Sequence, residues 1–98
     1  MGQSVAPASE RFVNELVKLP SALDPHPLLQ ALSDPAAGVV RAKGWLTDLS
    51  GQCHLLQQVG RRIEMEPLPA EVAPAGPDRL LVIGLAGVYR RGSLLSIQ

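Results

Sequence analysis

The sequence predicts a small mixed domain, with an antiparallel hairpin at its centre and helix beside it. Three observations predict this. Residues 39–66 carry apolar side chains at alternate positions on two arms separated by Leu49-Ser50-Gly51. Asp24-Pro25 opens a short Leu-rich segment with helical spacing. Residues 79–84 form a continuous apolar run of strand length.

Residues 1–10 are small and polar and are expected to form a flexible tail, with the folded domain spanning 11–98. Residues 11–19 read two ways. Phe12, Leu16 and Leu19, with Val13 and Val17 beside them, fit one face of a helix, yet Val13, Glu15, Val17 and Leu19 also alternate as a strand. The local pattern leans to helix. After Pro20-Ser21, Asp24 is placed to accept from the free amides of a first helical turn, and Pro25 has no amide to leave unpaired there. Leu28, Leu29 and Leu32 supply the buried stripe, and Pro35 pushes Asp34 out of helical geometry, ending the helix.

In the first hairpin arm Val40, Ala42, Gly44 and Leu46 fall on one side, and Val39, Arg41, Lys43, Trp45 and Thr47 on the other. In the second arm Cys53, Leu55, Val59, Ile63 and Met65 oppose His54, Gln58, Arg62, Glu64 and Glu66, with Leu56 an exception. A tight turn at Leu49-Ser50 then pairs Leu46 with Cys53, Gly44 with Leu55 and Val40 with Val59. That register makes the two apolar sides coincide, and a slip of one residue sets apolar against polar. Gly60 is expected to mark a bend or bulge in the second arm. Four prolines between residues 67 and 77 exclude a central strand there. Residues 79–84 read as a buried strand, and residues 85–98 are expected to hold a final short helix around Leu94, Leu95 and Ile97, weakened by Gly92.

With 98 residues, 46% of them apolar but only one Phe, one Trp and one Tyr, the core is expected to be aliphatic. Nine basic and nine acidic side chains cancel, which argues against a general nucleic-acid or anionic-membrane binder. Cys53 is the single cysteine, so no internal disulfide can form and a reducing compartment is expected. No run approaches the roughly 20 apolar residues needed to cross a bilayer. Residues 1–9 have neither the basic cluster nor the apolar run of a secretory signal, so the expected location is the cytoplasm.

The chain contains no Gly-Lys-Ser or Gly-Lys-Thr phosphate loop, no Cys-x-x-Cys, no His-Glu-x-x-His and no Gly-x-Ser-x-Gly. No titratable pair is placed by the sequence in acid and base roles, so an enzyme is not expected and no cofactor is implied. His26, Cys53 and His54 are possible soft metal ligands if folding gathers them. On the pairing above, however, Cys53 faces the core and His54 the other side beside Trp45, so the simpler reading is a buried small thiol and a partly exposed imidazole. Arg41, Lys43 and Trp45, with Arg61 or Arg62, form a basic-aromatic patch on the non-core side of the hairpin. It reads as a surface for an acidic partner, or as packing with the basic stems lying along covered apolar surface. Arg90-Arg91-Gly92-Ser93 has the spacing of a basic-directed phosphorylation site, although a solvated helix start capped by Ser93 explains it more simply.

Arg41-Ala42-Lys43-Gly44-Trp45 resembles the Arg-Ala-Lys-Gly-aromatic strand in the C-terminal domain of CobW-family GTPases, proteins associated with cobalt and zinc handling. Further matches follow in order. Leu23-Asp24-Pro25 with Leu28 to Leu32 resembles the family's Phe-Asp-Pro helix start. Gln58-Val59-Gly60-Arg61-Arg62 resembles its Gly-Val-Gly-Gly-Arg strand, with Pro67 the proline that follows. Residues 79–84 resemble its Arg-Leu-Val-Phe-Ile-Gly strand. The resemblance covers residues 11–95 and implies an α+β domain of order β-α-β-β-β-α, a mainly antiparallel sheet backed by helices on one face, with residues 11–19 a strand. It places the polar row of Arg41, Lys43 and Gln58 on the uncovered face. The family's nucleotide-binding domain and Cys-rich metal motif have no counterpart in these residues, so neither GTP hydrolysis nor high-affinity metal capture is implied. After Gly84 the family's Arg-Asp-Leu is replaced by Leu85-Ala86-Gly87-Val88. The expectation is a stand-alone, non-enzymatic interaction module in metal homeostasis. It would bind a CobW-type GTPase domain, another protein or itself through Arg41, Lys43, Trp45 and Arg62.

Overall fold

The computed structural model describes residues 11–94. The expected tail over residues 1–10 lies outside them. The elements run β1 (Phe12–Lys18), α1 (Pro25–Ser33), β2 (Val39–Thr47), β3 (Cys53–Val59), β4 (Arg62–Pro67) and β5 (Arg79–Leu85), with short 3-10 turns at Pro35–Ala37 and Ala70–Val72. The strands form one five-stranded sheet of order β1-β5-β2-β3-β4, and every pairing is antiparallel. The class is α+β.

Helix α1 begins as its sequence dictates. The Asp24 carboxylate accepts from the His26 amide at 3.1 Å, and Pro25 and Pro27 occupy positions where no amide is needed. Asp34 is extended and closes the helix before Pro35. Leu28 and Leu32 are buried against the sheet, with Leu29 packed alongside.

The first segment is a strand, as the family resemblance implies, and not the helix its local pattern alone favours. Paired with β5 from Phe12↔Leu85 to Lys18↔Arg79, it turns Val13, Glu15 and Val17 inward and Phe12, Asn14, Leu16 and Lys18 outward. Apolar residues on both faces of the strand imitate a helical stripe. Pairing with β5 decides between the two.

The β2–β3 register differs by one residue from the expected one. Gly44 pairs with Leu56, Leu46 with His54 and Ala42 with Gln58. The turn is the cause. The Asp48 carboxylate accepts from the Ser50 amide at 2.8 Å, the Ser50 hydroxyl at 2.6 Å and the Gln52 amide at 3.1 Å. The Asp48 amide donates to the Gln52 carbonyl at 2.9 Å. Three residues therefore bridge the strands instead of two, with Gly51 supplying the positive φ of 89° that closes such a loop. Leu56, the apparent exception, is fully buried, whereas Cys53, Leu55 and Val59 turn outward.

The inward polar residues of β3, His54 and Gln58, are partnered through Nε2 in each case, while His54 Nδ1 and Gln58 Oε1 are buried without a hydrogen-bond partner. Gln58 is 2% exposed, and its Nε2 donates to the Leu32 carbonyl at 2.9 Å and the Gly60 carbonyl at 3.0 Å, tying the end of α1 to the sheet. Gln58 thus belongs to the covered face, not to the polar row expected on the open one. Gly60, with φ 60°, is a hairpin corner between β3 and β4 rather than a bulge, so the expected long second arm is two strands.

The core comprises Val17, Leu19, Leu23, Leu28, Leu32, Ala42, Leu46, Leu56, Leu80, Val82, Tyr89 and Leu94. It is aliphatic except for Tyr89. After β5 the chain turns back across the inner face. Residues 86–92 form turns and irregular chain and residues 93–94 are 3-10, while most of the final short helix expected around Leu94, Leu95 and Ile97 falls on residues 95–98, outside the described part. Gly84 faces Tyr89 so closely that a Cβ there would overlap the tyrosine ring. The Tyr89 hydroxyl donates to Glu15 Oε1 at 2.5 Å, and the Gly92 amide donates to both oxygens of the same carboxylate at 3.0 and 3.1 Å. Glu15 therefore fastens the returning segment over β1 and β5.

Candidate interaction surface

Helix α1 and the returning segment cover one face of the sheet. The pairing registers define what the other face presents. One row across β1, β5, β2, β3 and β4 reads Leu16, Leu81, Lys43, Gln57, Glu64. Beside it runs Asn14, Ile83, Arg41, Val59, Arg62, and on its other side Lys18, Arg79, Trp45, Leu55, Glu66. Large apolar side chains remain open on this face: Leu16 is 52% exposed, Leu81 50% and Leu85 40%.

The four residues singled out in the sequence share this face but are not equivalent. Arg41 and Lys43 are exposed on β2 and, among the described residues, form no ion pair. Arg62 lies on edge strand β4 and is paired with Glu64 at 3.1 Å, both well exposed, so the pair is worth little and its charge is largely balanced. Trp45 is half-buried, and the Arg79 guanidinium sits 4.9 Å from its ring centroid, occupying one ring face. Its indole nitrogen is buried without a hydrogen-bond partner. Trp45 thus acts more as packing for Arg79 than as a free stacking platform.

The metal-ligand candidates are not brought together. Cys53 turns to the open face and His54 to the covered one, the reverse of the expected facing and a direct result of the three-residue turn. His54 Nε2 is 2.8 Å from Asp48 Oδ2. The Ser50 hydroxyl and then His54 hold the Asp48 carboxyl well below the usual carboxylate range. Burial, followed by the charge of Asp78, pushes the Cys53 thiol up and so disfavours the thiolate a metal would need. His26 lies at the start of α1 beside Asp24, on the covered side. Among the described residues no three His, Cys, Asp or Glu side chains group as a metal site. In Arg90-Arg91-Gly92-Ser93, Ser93 is exposed and its amide donates to the Arg90 carbonyl at 3.0 Å.

Sequence reading missed Leu16, Leu81 and Ile83 as surface residues. For Leu81 and Ile83 the signal was present: β5 is apolar from Leu80 to Ile83, and such a strand asks for cover on both faces, which helix and returning chain here provide on one.

A single antiparallel sheet with one dressed and one open face defines a small α+β domain. The chain belongs to the cobalamin synthesis protein cobW C-terminal domain family, whose model matches residues 15–89. No curated protein and no solved structure matches it significantly. No helix among the described residues is long and apolar enough to cross a membrane.

Proposed function

We propose that the chain is a non-enzymatic interaction module that docks a protein partner through the open sheet face, in the metal-handling setting its family suggests. The partner this reading favours is a CobW-type GTPase domain, met in the cytoplasm. One observation carries it: Leu16, Leu81 and Leu85 are apolar, large and about half exposed on a face that also presents Arg41 and Lys43. Contiguous apolar surface with a charged margin is the usual mark of a protein contact. The chain carries no net charge, so the Arg41 and Lys43 pair acts locally, selecting an acidic contact rather than drawing in polyanions.

The test is a titration of isotope-labelled protein with a CobW-type GTPase domain, followed by amide chemical shifts. Shifts are expected on β1, β5 and β2 at outward positions. Shifts confined to α1 and the returning segment would rule out this face.

A further inference from the structure

We infer that the contact is centred on β1 and β5, and that its occupant is a protein surface of aliphatic side chains bordered by carboxylates rather than a second copy of this chain. This rests on the interaction reading above and narrows it to one half of the sheet and one partner chemistry.

The two halves of the open face differ in charge. On β1, β5 and β2 the outward residues include Lys18, Arg79, Arg41 and Lys43 and no acid. Outward acids appear on β4, as Glu64 and Glu66. Strands lie about 4.8 Å apart, so β4 is roughly 10 Å from β2 and 14 Å from β5. That separation is at or beyond the Debye length of about 8 Å at physiological salt, so the β4 carboxylates do little to neutralise the cations of the other half. Leu16, Leu81 and Ile83 lie in the angle between Lys18 and Arg79 at one end and Arg41 and Lys43 along one side. A partner burying those three side chains must bring groups alongside the four cations, and carboxylates are the groups that lower the energy there. Arg62, already matched by Glu64, falls outside the contact.

A second copy fits poorly. A two-fold face-to-face stack centred on β1 and β5 sets the same patch against itself, and that patch has no outward acid to bring alongside Lys18, Arg79, Arg41 and Lys43. Like charges so placed oppose association.

The experiment titrates a CobW-type GTPase domain into the full chain and into four variants. Circular dichroism and thermal melting first establish that each variant folds. Leu81→Asp is expected to weaken binding by at least about tenfold. Leu16→Gln gives a milder loss in the same direction and stands in should Leu81→Asp fold badly. Lys43→Glu is expected to weaken binding and to flatten its dependence on salt, whereas Arg62→Glu stays within about twofold. Arg62→Glu as damaging as Leu81→Asp, or Leu81→Asp and Leu16→Gln binding like the parent, would overturn this inference while leaving an interaction module standing. No binding by the parent chain at about 1 mM would overturn both readings. Sedimentation is expected to show a monomer. A dimer abolished by Leu16→Gln would put a second copy in the partner's place, and co-sedimentation with phosphatidylserine vesicles, lost in the same variant, would put a lipid surface there.

Discussion

Strand β5 shows both faces of the molecule in seven residues. Leu80 and Val82 point inward and are fully buried, while Leu81, its neighbour, points outward and is half exposed. The two rows have nearly the same chemistry, and only what lies over them differs. Inside, α1 and the segment containing Tyr89 and Leu94 complete the packing. Outside, nothing among the described residues does so for Leu16 or Leu81. The inward row answers to the stability of the chain, and the outward row is the one the proposed contact would use.

The sharpest way to break that division is at the inward glycine of β2. A Cβ on Gly44 would collide with the Arg79 carbonyl oxygen and Leu80 Cα, backbone atoms of the adjoining strand that cannot rotate away. Gly44→Ala is therefore expected to cost about 3 kcal/mol or more in urea unfolding, the upper end of overpacking effects. An unchanged midpoint would mean that β2 and β5 are not joined in this register. A second comparison acts directly on the two rows. Leu80→Ala is expected to cost about 2–5 kcal/mol, as buried leucine truncations do. Leu81→Ala should stay under about 1 kcal/mol because its side chain already meets water. Equal losses would erase the distinction between faces.

Much of this arrangement was legible in the residues. Asp24-Pro25 and Ser33-Asp34-Pro35 bound α1 because capping and proline chemistry act within a few positions. The facing of β2 was legible too, since Ala42, Gly44 and Leu46 alternate cleanly with Arg41, Lys43 and Trp45. The facing of β3 was not. It depends on the loop length between the strands, and Asp48 sets that through hydrogen bonds to Ser50 and Gln52 that no hydrophobic pattern encodes. Once the loop has three residues, Gln58 must point inward, and it finds the Leu32 carbonyl, a partner 26 positions away in the chain. The basic half of the candidate surface could be read from Arg41 and Lys43. Of its apolar half, the run from Leu80 to Ile83 hinted at Leu81 and Ile83, but that Leu16 joins them could not be read, because β1 and β5 are far apart in sequence and adjacent only in the sheet.

A modest effect concerns how the covered face is kept closed. Tyr89 is 4% exposed, and burial, reinforced by the neighbouring Glu15 carboxylate, raises its phenol well above the ordinary value of 10.0. In the unfolded chain the phenol ionises near that ordinary value, while in the fold it keeps its proton. Unfolding therefore releases a proton above about pH 10, and the stability this group contributes, complete below that pH, declines as pH rises further. Tyr89→Phe removes the donor to Glu15 Oε1 but leaves the Gly92 amide bonded to both carboxylate oxygens. It is expected to cost about 1 kcal/mol near neutral pH, the net worth of one such hydrogen bond. Because the variant has no phenol to titrate, its deficit should shrink between about pH 8 and about pH 11. Urea midpoints of the two proteins at those pH values measure it. A deficit that stays constant across that range would mean that the Tyr89 hydroxyl is not held as described and that the ring alone keeps the returning segment on the sheet.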